Sequence, residues 1–158
     1  MKRGVISVLS GLIIFLSLAQ EPRTYTDEEL VSYGKVMVWV EAEKDRMTGL
    51  YNDWIAQNEF VGAPRFLQLK RNQNDSLKLQ AINATEDEIA AFNEISSDYD
   101  SMTAAFKRLL LGKIREEVGA GLYNALKNDL RTRPEIEARY KDILRGLPAE
   151  PSAEAIEN

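Results

Sequence analysis

The sequence predicts an all-α protein, an antiparallel helical bundle built on two long helices at about 26–57 and 85–118 plus shorter helices. Three observations carry that expectation. Apolar residues recur at steps of three and four through both stretches, each stretch opens on a Thr followed three residues later by a Glu, and no Pro interrupts either one.

The first nineteen residues stand apart from the fold. Lys2 and Arg3 precede an apolar run from Gly4 to Leu16, and Ser17-Leu18-Ala19 offers small residues where a signal peptidase reads. The expectation is a secretory signal peptide at 1–19, cut after Ala19, and a periplasmic or secreted mature protein. The run is shorter than the ~20 apolar residues a comfortable membrane span takes. Loss of Lys2 and Arg3 leaves 18 basic against 25 acidic side chains, a net charge of −7. An acidic chain with no basic stripe argues against a nucleic-acid partner, and membrane contact is expected to be peripheral at most.

There is no Cys and no His. Stability therefore rests on packing rather than disulfides, and the usual general base and the commonest transition-metal ligand are both missing. No cofactor is expected.

Residues 20–147 are expected to form a single helical domain. After a polar lead from Gln20 to Tyr25, Thr26 and Glu29 spell a capping box, and Asp27 and Glu28 add negative charge at the positive end of the helix. Written in sevens, Leu30, Met37, Lys44 and Tyr51 form one row, and Tyr33, Val40, Met47 and Trp54 form the row beside it. Such a seam needs a partner. Val36 to Val40 is apolar on all sides for more than a turn, which asks for cover from more than one direction.

Gly62 and Pro64 punctuate the following region. Phe66, Leu67 and Leu69 suggest a short helix, Asn72 to Ser76 a turn, and Leu77 to Ile82 another short helical piece. A second capping box, Thr85 with Glu88, opens the other long helix. Its apolar face runs through Ile89, Phe92, Ile95, Tyr99, Met102, Phe106, Leu109, Leu110, Ile114 and Val118, the natural mate of the first helix. Gly119 and Gly121 end or kink it. Leu122, Tyr123, Leu126 and Leu130 form a shorter stripe, Pro134 marks a further start, Ile136, Tyr140, Ile143 and Leu144 form the face of the last helix, and Gly146 with Pro148 stops it. The tail at 148–158, polar and rich in Ala, Glu and Pro, is expected to be disordered.

Thr26-Asp-Glu-Glu-Leu-Val-Ser-Tyr33, Leu79 to Ile95, and Asn128 to Arg139 together resemble a family of exported bacterial helical proteins classed only as a domain of unknown function. The resemblance touches about a third of the mature chain. It implies export and an all-α fold, and it transfers no catalytic or binding residue. The segment between Phe92 and Asn128 is longer than the family's pattern, and no Gly stands before Thr85.

Val36 and Trp39 are the candidate partner-binding residues, because they lie beside the main seam and give the first helix a second apolar face. The alternative for both is a core covered on two sides, and the same comparison applies to Trp54 and Phe60. The acidic groups Asp27-Glu28-Glu29 and Glu86-Asp87-Glu88 fit first-turn charges better than a calcium loop, which needs ligands at alternating positions around a Gly. Glu41, Glu43, Glu88 and Glu94 are the acids a carboxylate-dependent hydrolase would draw on. Late basic residues, among them Lys107, Arg108, Arg115, Arg131, Arg133 and Arg139, suit either anionic headgroups or pairing with neighbouring acids.

The resulting expectation is a non-catalytic exported binding, scaffold or chaperone-like envelope protein. Its partner would be another envelope protein or a second copy of itself. The alternatives are a carboxylate-dependent hydrolase of envelope polymers and a peripheral lipid binder.

Overall fold

Both long helices start on a reciprocal pair of hydrogen bonds. At the head of α1 (Asp27–Gln57) the Glu29 amide donates to Thr26 Oγ1 at 3.2 Å and the Thr26 amide donates to Glu29 Oε2 at 2.9 Å. Thr85 and Glu88 repeat the arrangement, at the same two distances, at the head of α4 (Glu86–Lys113). Each box satisfies amides that have no partner inside the helix. The computed structural model describes residues 23–147, so the expected signal peptide and tail lie outside it.

The shorter helices are α2 (Ala63–Asn72), α3 (Ser76–Ala81), α5 (Ala120–Thr132) and α6 (Pro134–Gly146). Pro sits in the first turn of α2 and of α6, where its missing amide costs no hydrogen bond. Asp75 caps α3 by accepting from the amides of Leu77 and Lys78. α4 runs on into a π-helical turn, Ile114–Val118, closed by the Gly119 amide donating to the Ile114 carbonyl at 2.7 Å. Gly119 then takes φ +81° and starts α5, so the expected break falls on this glycine.

Contacts along α1 fix the topology. Val36 clusters with Ile114, Trp39 stacks on Phe106, Tyr51 meets Tyr99, and Ile55 clusters with Ile95, so α4 runs antiparallel to α1. On the other flank Leu30 packs with Ile136 and Tyr33 with Tyr140, which makes α6 parallel to α1, with α5 returning between them. The core accordingly has three parts. Ile55, Val61, Phe66, Leu69, Phe92 and Ile95 fill one end, Tyr25, Leu30, Tyr33, Leu126 and Ile136 the other, and Val36, Val40 and Ile114 lie between.

Leu109, expected on the apolar face of α4, is 60% exposed, because Phe106 and Leu110 carry that face past it. The seam of α1 differs from the sequence expectation at one point. Lys44 is exposed, and Glu43 is buried in its place, with its Oε2 accepting from Arg46 Nε at 3.0 Å and Arg46 Nη2 at 2.9 Å. A single seven-residue seam assumes one partner. α1 instead packs against α2, α4, the π turn and α6, so its buried positions move around the helix along its length. Among the described residues no helix is long and apolar enough to cross a membrane.

A candidate apolar recess between the first and last helices

Gly34 brings α6 against α1. A methyl group at this position would stand 2.8 Å from Leu147 Cδ1 and 3.4 Å from Leu144 Cδ2, so the end of α6 lies directly on bare backbone. One turn further along α1 the two helices part. Met37, Val38, Tyr140 and Leu144, with Glu41 at the edge, line an open recess of about 370 Å³. Its walls are aliphatic and aromatic except for Glu41, whose carboxylate pairs with Lys44 at 2.8 Å.

The wall residues are held from behind. Tyr33 touches Tyr123 at 5.3 Å between ring centroids and Tyr140 edge-on at 5.6 Å, joining α1, α5 and α6. Burial pushes the hydroxyls of Tyr33 and Tyr140 up to about 12. The N-terminal segment straps the same end. Tyr25 donates to Asp129 at 2.8 Å, Arg133 donates to the Arg23 carbonyl at 2.7 Å, and Arg139 donates to the Tyr25 carbonyl at 2.7 Å while pairing with Asp27. Arg23 and Tyr25 before α1, and Asp27 at its start, are thereby fixed to the α5–α6 hairpin.

The two candidate partner-binding residues lie elsewhere on α1. Val36 is fully buried against Val40 and Ile114 and presents no surface in this conformation. Trp39 is half-buried. Its indole stacks on Phe106 with centroids 5.7 Å apart and planes at 23°, Lys113 Nζ lies 5.5 Å from its centre, and it packs against the cluster of Val36, Val40 and Ile114. Trp54 packs against the end core, and Phe60 is 53% exposed in the loop after α1.

Sequence reasoning placed Met37 on the seam and Tyr140 and Leu144 on the face of the last helix, but it did not bring them to one site. The one signal was the all-round apolar turn from Val36 to Val40, of which Val38 is the outward member.

The acids are mostly engaged. Glu43 is held by Arg46. Glu88 accepts from Arg65 Nε at 2.7 Å and Nη2 at 2.6 Å, and these bonds, with the Thr85 amide, hold its carboxyl down at about 2. Arg65 also donates to the carbonyls of Ile82 and Asn83, latching the α3–α4 turn, where Asn83 has φ +52°, onto α2. Glu94 and Asp98 are exposed and line a shallower hollow of about 230 Å³ with Trp54 and Ile95. Among the described residues no cluster of His, Cys, Asp or Glu could hold a metal ion. Several of the late basic residues pair with neighbouring acids: Arg133 with Asp129, Lys141 with Glu137, Arg145 with Asp142.

Comparison with family models, with curated proteins and with solved structures finds no match to this chain.

Proposed function

We propose that this chain is a non-catalytic, exported helical protein that holds an apolar segment of another envelope protein, as a scaffold or chaperone-like factor. The observation that carries the reading is the recess between α1 and α6. About 370 Å³ lined by Met37, Val38, Tyr140 and Leu144 lies within the size range of binding pockets and suits one or two large aliphatic or aromatic side chains. Met37 adds a flexible, polarisable wall that can adapt to different occupants. Export rests on the leader at 1–19 and on the resemblance to the exported helical family, and it predicts a mature N-terminus at Gln20, three residues before the strap that begins at Arg23.

The alternatives draw less support. A carboxylate-dependent hydrolase needs an acid poised near neutral pH, yet Glu41 and Glu43 sit in ion pairs, Glu88 is fixed as a carboxylate by Arg65, and Glu94 is exposed on an open hollow. A peripheral lipid binder needs a cluster of free cations, and those of α6 pair with acids, which leaves Arg108 and Arg115 at the end of α4 without their support.

A photo-crosslinking residue at position 38, used in living cells and compared with the same residue at position 39, tests the reading. Adducts to a partner from position 38 that vanish with Leu144→Asp are expected. Recovery of the uncrosslinked chain alone, under every growth condition, overturns it. Sequencing the N-terminus of the periplasmic fraction checks export: a chain that still begins at Met1 in the cytoplasm removes that part.

A further inference from the structure

The outward face of α4 is unpartnered and carries an ordered charge pattern. Asp87, Glu94, Ser101, Arg108 and Arg115 recur at intervals of seven residues, and all five are exposed. Seven residues make nearly two turns, so up to Arg108 the row holds to one face, and Arg115 follows in the π turn. From Glu86 to Phe106 the helix has six acids and no base, and from Lys107 onward the bases Lys107, Arg108, Lys113 and Arg115 follow. Among the described residues Glu94, Arg108 and Arg115 make no ion pair, in contrast to the paired cations of α6.

We infer that the outer face of α4 is a two-fold interface on which a second copy of this chain packs antiparallel about Ser101. Ser101 is the centre of the charge row. In that register Glu94 of each copy stands opposite Arg108 of the other, and Asp87 opposite Arg115, so each copy offers what the other lacks. The parallel register would set acid against acid and base against base. Along the axis the face carries Ser97, Ser101 and Ala104, all exposed and small, with exposed Asp98 at its margin, so small side chains let the two backbones approach. A self-complementary patch of this kind meets the requirement of a closed dimer, in which the same surface serves both partners. The interface is independent of the α1–α6 recess and leaves that recess open. Its charge pairs are exposed, so salt weakens the association.

The chain contains no Cys, which makes single-cysteine variants of the full chain clean reporters. Ser101→Cys sits on the axis and is expected to form a disulfide-linked dimer under mild oxidation at low salt. Thr48→Cys, exposed on α1, is expected to stay largely monomeric. In sedimentation, Glu94→Arg and Arg108→Glu are each expected to weaken the dimer about tenfold or more, since each reversal acts twice by symmetry, and the double variant to regain it. Equal crosslinking at positions 101 and 48, or single and double variants that associate alike, overturns the inference. So does a chain that stays monomeric and floats with anionic vesicles through Arg108 instead. Loss of partner adducts from position 38 with the dimer intact would sink only the binding reading.

Discussion

Glu88 serves two neighbours at once, closing the capping box of α4 and receiving both nitrogens of the Arg65 fork. Its carboxyl therefore sits at about 2 rather than the usual 4.5. A depressed carboxyl favours the fold when ionised, so this contribution is complete above about 4.5 and is lost as pH falls from there through about 2. Glu88→Gln is expected to lower stability at neutral pH and to flatten the decline between those values, as read by urea melts across acid pH. An unchanged acid slope would mean that the Arg65 latch does not bear on folding. The capping half of this arrangement was legible, because Thr85 and Glu88 lie three apart. The Arg65 half was not, because a partner 23 residues away follows from how α2 and the α3–α4 turn dock, which no local pattern encodes.

The breaks between helices rest on single backbone positions. Gly119 has φ +81° with open space around its Cα, so Gly119→Ala meets no clash and its cost is conformational alone, about 1–3 kcal/mol. Thermal melts should record that loss, and an unchanged melting temperature would mean that the junction relaxes freely. Gly34 poses the opposite case, an ordinary helical backbone with no room. Gly34→Ala gains ~1 kcal/mol of helix propensity and meets only the movable end of Leu147, so it is expected to be nearly neutral. Gly34→Val must also displace Leu144 and is expected to cost about 1–3 kcal/mol and to loosen α6, seen as faster amide exchange there. Sequence alone located Gly119, since a glycine at the end of a long apolar face marks a stop. No local pattern marks Gly34, because what it serves is the close approach of a helix more than 100 residues later.

At the scale of the molecule, three tyrosines from three helices hold one end together. Tyr33 and Tyr140 ionise at about 12 instead of 10 because burial opposes the phenolate. A raised value means that their contribution is complete below pH 10 and is lost as pH rises from 10 through about 12. Alkaline titration followed by ultraviolet absorbance is expected to show three late-ionising phenols, these two and Tyr25, whose hydroxyl burial and the Asp129 carboxylate also push up to about 12, and the helices to come apart in the same interval. Tyr33→Phe should remove one of them and shift the transition to higher pH. Beyond Val40, between the middle cluster and the end core around Phe66, polar groups enter instead: Glu43 is buried beside Arg46, and Thr103 Oγ1 is buried with no hydrogen-bond partner. By itself the sequence determined the helical class, the two capping boxes, the break at Gly119 and the approximate extent of every helix, because these follow from spacing and from backbone chemistry within a few residues. Only the tertiary structure decided that α6 runs parallel to α1, that Val36 is sealed while Val38 opens onto a recess, that Glu43 rather than Lys44 is buried, and that the outer face of α4 is uncovered. Each of those depends on which of several similar apolar faces meet, a choice set by volume and shape across long separations rather than by local periodicity.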